Sequence, residues 1–115
     1  MRVLNFSTSS LVYDNVIRID RLSDWGNPFI IGIDGDRDEV CDKHKEWLEA
    51  WLKNKHEIIV KVGKGTITGA LRGYSNKWVI EYIEKLKGKD LICWCSPLRC
   101  HGDYLLKLVE KLEGV

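Results

Sequence analysis

The chain has 115 residues, 18 Lys and Arg against 17 Asp and Glu, a formal net charge of +1, and 44% apolar residues. That length suits one cored domain over residues 1–115, and the apolar content excludes wholesale disorder. The balanced charge argues against general nucleic-acid binding, and no apolar run approaches the roughly 18 residues of a membrane span, so neither partner is expected.

Residues 2–6 read as a short strand, followed by a Ser/Thr loop at 7–10. A second strand is expected at 15–20, where Val16, Ile17 and Ile19 are β-branched. Gly26, Asn27 and Pro28 mark a turn within residues 24–29, and Ile30, Ile31 and Ile33 form a short apolar run ending at residues 34–36. A helix should begin near Asp36 or Asp38, with acids in its first turn. Its apolar stripe is Val40, His44, Trp47, Leu48 and Trp51, which places Trp47 and Trp51 against the sheet. Residues 55–73 read as a β-hairpin insertion turning at residues 63–65, its return strand in residues 66–71. Ser75 or Asn76 caps a second helix with Trp78, Val79, Tyr82, Ile83 and Leu86 inward, ended by Gly88. Residues 91–95 are compact and nearly all apolar, as in a strand buried on both faces, and Ser96-Pro97 breaks it. A last helix from about Cys100 turns Leu105, Leu108, Val109 and Leu112 to the core. Together these elements predict a small α/β, Rossmann-like domain with a mainly parallel sheet and packed helices. Ligands collect beyond the carboxyl ends of the strands in such sheets, here at residues 96–103.

Cys93, Cys95, Cys100, His101 and Asp103 fall within that short stretch. Cysteines so crowded are unlike a cross-linked secreted scaffold, so reduced thiols and a cytoplasmic setting are expected. Three readings compete. Cys93 and Cys95 can be small apolar core residues. Cys93, Cys95, Cys100 and His101 can hold zinc and support a protein-interaction module, with Cys41 as a remote substitute. The spacing is poor for that, because adjacent Cys100 and His101 would struggle to face one ion. The third reading, preferred here, is a site for a small anionic ligand with no metal cofactor. The N-terminus of the last helix offers free N–H groups and would lower the Cys100 pKa, while His101 at the loop mouth exchanges protons near neutrality. Arg99 and Arg37, the latter an odd cation at a helix start, would neutralise the anion. Asn27 would bond a polar ligand edge with Trp25 or Phe29 stacking on a base, and Cys95 and Gly102 complete the binding set. His44, on the helical stripe, reads as a packed histidine.

The strings Trp25-Gly26-Asn27-Pro28-Phe29, Asp34-Gly35-Asp36-Arg37, and Cys93-Trp94-Cys95-Ser96-Pro97 with Cys100-His101-Gly102-Asp103 resemble the prokaryotic and phage family catalogued as domain of unknown function 4326. The resemblance spans roughly residues 12–113 and departs at the 55–73 insertion. It implies a virus-linked role in the host cytoplasm, and by analogy of setting a nucleotide or nucleoside derivative as the ligand. Sequestration and turnover are both open. Turnover would act on a glycosidic or phosphoryl bond, with Cys100 as nucleophile or acid, His101 as proton shuttle and Asp103 as orienter or base. Homo-oligomerisation is also left open.

Overall fold

A computed structural model describes residues 2–6, 15–63, 72–95 and 98–114. Three short strands, β1 (Val3–Asn5), β2 (Val16–Arg18) and β5 (Asp90–Cys93), form a parallel sheet in the order β1-β5-β2. The register pairs Val3 with Leu91 on one side of β5 and Ile17 with Leu91 on the other. The central position explains why β5 is the most apolar strand: Leu91, Ile92 and Cys93 are all buried. The strand is shorter than expected and stops before Trp94, which is exposed. A separate antiparallel ribbon joins β3 (Ile59–Val62) to β4 (Arg72–Ser75). This bears out a hairpin in this region, its described return-strand residues being Arg72–Ser75. The Ser/Thr loop at 7–10, the proposed return strand at 66–71 and the Ser96-Pro97 break lie outside the described residues.

The helix α1 (Arg37–Asn54) starts where expected, and its start is fixed chemically. The Asp36 side chain accepts from the Glu39 N–H while the Glu39 carboxylate accepts from the Asp36 N–H, a reciprocal cap that satisfies two otherwise free donors. Trp47 and Leu48 are buried as the stripe requires, whereas Trp51 is only half-buried, beneath the Lys55 and Lys77 ammonium groups. The helix packs on α2 (Asn76–Glu81) and α3 (His101–Glu113) rather than broadly on the sheet. Ser75 caps α2, a 3-10 turn (Ile83–Leu86) continues it, and Tyr82 between them is exposed rather than inward. Gly88 then takes φ +76°, which ends the segment. In α3, Leu105, Leu108 and Val109 are buried as expected, while Leu112 is exposed. The Ile30–Ile33 run is not a strand. Positive φ at Gly32 and Gly35 curls it into turns that leave Ile31 and Ile33 exposed.

Candidate functional site

The carboxyl ends of β2 and β5, the first turn of α1 and the N-terminus of α3 meet around a cavity of about 500 Å³. Its walls include Arg21, Phe29, Arg37, Trp94, Cys95 and His101, with Cys93 and Cys100 beside them. The expected location, beyond the carboxyl ends of parallel strands, is where the cavity lies.

Cys93 ends β5, Cys95 follows two residues later, and Cys100 is the N-cap of α3. The strand end and the helix cap therefore bring three sulfurs within 4.8 Å of one another. Cys93 Sγ and Cys100 Sγ are 3.2 Å apart, and the Cys95 N–H donates to Cys93 Sγ at 3.4 Å. All four cysteines are free thiols, and Cys41 lines the cavity without joining the cluster. Hydrogen bonds from the Cys100 and Cys93 thiols hold the Cys95 pKa down against its burial, and the Arg37 guanidinium adds to this. The same sulfur neighbours, with burial behind them, push Cys100 up. This corrects the expectation of an activated Cys100: its sulfur does accept from the Gly102 N–H, but the helix terminus is outweighed.

His101 is not at a loop mouth. It is 7% exposed, and its Nε2–H donates to the carbonyl of Ile19 at 2.8 Å, with the carbonyl of Trp25 at 3.2 Å. Its Nδ1 is then the unprotonated nitrogen and faces Cys100 Sγ at 3.4 Å. Burial lowers the His101 pKa, so the ring is neutral at physiological pH. The glycine that follows explains the burial. A Cβ on Gly102 would lie 2.6 Å from Ile19 Cδ1 and 3.1 Å from Val3 Cγ2, so glycine lets α3 approach the sheet this closely without displacing those side chains.

The other expected residues divide. Arg37 lines the cavity, donates to the Arg99 carbonyl at 3.3 Å and hydrogen-bonds toward Cys95. Arg99 also lines it, but its guanidinium is engaged by Asp38 and Asp42. Asn27 lies in the wall with both amide ends committed, donating to the Val40 carbonyl and accepting from the Phe29 N–H. Trp25 is buried against Trp78, at 4.7 Å between ring centroids, away from the cavity lining. Asp103 is exposed and its carboxylate accepts from the Cys100 N–H, completing the α3 cap. Cys100 and His101 are thus brought together, while Asp103 is directed elsewhere.

Sequence reasoning missed Trp94 and Arg21. Trp94 was read as part of the buried apolar strand over residues 91–95. Because β5 ends first, the ring swings to the cavity rim, packs on Phe6 at 4.8 Å and donates from Nε1 to Asp20 at 3.2 Å. Arg21 lines the cavity with a buried Nε that has no hydrogen-bond partner among the described residues. No signal in the sequence distinguished it from a solvated arginine.

Among the described residues, no helix is long and apolar enough to cross a membrane. No solved structure matches the chain. It is similar to a phage T4 protein described as an uncharacterized 12.4 kDa protein in the nrdA-td intergenic region, with 29% identity over 97 residues covering 84% of this chain and 68% of the relative. The family model described as Domain of unknown function (DUF4326) matches residues 4–111, and the chain belongs to that family.

Proposed function

We propose that the protein binds a small anionic molecule, of the nucleotide or nucleoside-derivative class, in the cavity at the carboxyl end of the parallel sheet. One observation carries this reading. Arg21 and Arg37 both line the cavity, and among the described residues neither has a carboxylate partner, whereas the neighbouring Arg18 and Arg99 do. In a chain with 18 bases and 17 acids, two such guanidinium groups at one concavity are a local positive surplus suited to a phosphate. Phe29 and the anchored Trp94 offer aromatic surface for a base, and the volume is that of an ordinary small-molecule site. The sheet on this reading is a reduced Rossmann-like one in a single domain, and the protein acts in the host cytoplasm.

Sequestration fits the geometry better than turnover, because Asp103 is held in the helix cap and His101 Nε2 by backbone carbonyls. The test is calorimetric titration at low ionic strength with nucleoside mono- and diphosphates against the unphosphorylated nucleosides. Phosphorylated members should bind and nucleosides should bind at least tenfold more weakly. Arg37→Gln should cost about 1.5–3 kcal/mol, a factor of roughly 10 to 100. Equal binding of nucleosides and nucleotides, or an unchanged affinity in Arg37→Gln, would overturn the proposal.

A further inference from the structure

Three thiols converge at the cavity wall, and packing alone does not require it. Cysteines that merely fill a core gain nothing from facing one another, yet here three sulfurs from a strand end, a loop and a helix cap share a 4.8 Å span. A tetrahedral ion with metal–sulfur bonds near 2.3 Å places its sulfurs about 3.8 Å apart. The 3.2 Å separation of Cys93 and Cys100 and the 4.8 Å outer limit bracket that value. Sulfurs this close suit a single ion rather than a multi-iron cluster, whose ligands sit on separate irons. We propose that Cys93, Cys95 and Cys100 bind one zinc ion through their three sulfurs, with the fourth position of the tetrahedron open to the cavity.

The surroundings suit that charge state. Loading forms three Zn–S bonds to thiolate sulfur, each thiol still protonated giving its proton to solvent, and leaves a centre of net charge −1. Arg37 lines the same cavity wall, a cation on the side of that charge. The Gly102 and Cys95 N–H groups already point at Cys100 and Cys93 sulfur, the outer-shell donors that thiolate ligands require. His101 is not within the shared span of the sulfurs. It is a positioning residue, fixed by the Ile19 carbonyl and in contact with Cys100 alone of the three. The spacing objection raised by the sequence, that adjacent Cys100 and His101 would struggle to face one ion, does not apply to a set without His101. The three sulfurs come from the end of β5, from Cys95 beyond it and from the α3 cap. All three cysteines line the cavity, so the open position faces it, as in zinc sites that bind an exogenous ligand. The assignment stands whether or not that ligand is a nucleotide.

The test uses the full chain held in a reductant that does not bind metal, titrated with Co²⁺ and then Zn²⁺, with no nucleotide added. One equivalent of Co²⁺ should give the intense visible absorption of a tetrahedral cobalt–thiolate centre, displaced by one equivalent of Zn²⁺, and zinc should raise the melting temperature. Cys95→Ser, a half-buried site outside the strand, should weaken cobalt binding at least 100-fold while circular dichroism shows a retained fold. His56→Ala, which removes an exposed histidine, should bind as the wild type does. A weak octahedral spectrum, no saturation at one equivalent, or a Cys95→Ser affinity within twofold of wild type would overturn the assignment. Because no nucleotide is present, failure here leaves the arginine-based binding reading to its own titration.

Discussion

Replacing His101 with alanine separates a buried anchor from an exposed site residue. The imidazole is 7% exposed and its Nε2–H satisfies the Ile19 carbonyl at 2.8 Å. Removing the ring leaves that carbonyl buried without its donor, a cost of about 1–3 kcal/mol. It also opens a void of roughly 65 Å³, which at about 24 cal/mol per Å³ adds roughly 1.5 kcal/mol. The sum is about 2.5–4.5 kcal/mol, or a melting temperature lower by roughly 10–18 °C for a domain of this size. Urea unfolding followed by tryptophan fluorescence should show a lower midpoint with an unchanged slope. A loss under about 1 kcal/mol would refute the reasoning and return His101 to the loop mouth that the sequence suggested.

Other substitutions probe the same architecture. Trp47→Ala should cost about 3–5 kcal/mol, because the ring is buried and its Nε1–H donates to the Ile58 carbonyl at 2.8 Å; chemical denaturation measures this. Gly102→Ala should destabilise by about 1–3 kcal/mol through collision with Ile19 Cδ1, and Ile19→Val in that background should restore part of the loss in a thermal melt. His44 is fully buried, its two ring nitrogens have no hydrogen-bond partner among the described residues, and burial together with neighbouring His101 holds its pKa well below 6.5. The unfolded chain therefore takes up this proton first. Stability is full above about pH 6.5 and declines as the pH falls, by up to about 1.4 kcal/mol per pH unit for this group. His101, whose pKa is also lowered, adds in the same direction, while Tyr104, the other titratable ring against His44, does not titrate in this range. Melts between pH 8 and 5 should show the decline and a shallower one for His44→Phe; a flat profile would contradict the buried, neutral assignment.

The long periodic elements were legible because their signals are local. The acids at the start of α1, the stripe through Val40, His44 and Trp47, and the apolar run at β5 each declare themselves within a few residues. What the sequence did not disclose depends on which elements meet. The Ile30–Ile33 run has strand chemistry, but the positive φ of Gly32 and Gly35 diverts it. The sulfur cluster was ranked below an anion site on spacing, although the end of β5, Cys95 and the α3 cap bring its three sulfurs together. His101 looked exposed because helix starts usually are. Gly102 was the available clue, since a glycine in a first helical turn marks a close backbone approach. Trp94 and Arg21 reach the cavity only through where β5 stops and β2 leads, which no local pattern encodes.

The central claim is that the cavity between the strand ends, α1 and α3 is where an anionic ligand binds. A ¹H–¹⁵N correlation spectrum recorded while a nucleoside monophosphate is added tests it directly, with the Trp94 indole N–H as a built-in reporter because it donates to Asp20 at the cavity rim. Saturable shifts should appear at the Trp94 indole and at the backbone amides of Arg21, Arg37 and Cys95, while Lys61 and Gly73 in the β-ribbon stay still. No shift at millimolar nucleotide, or shifts confined to the ribbon, would contradict the account.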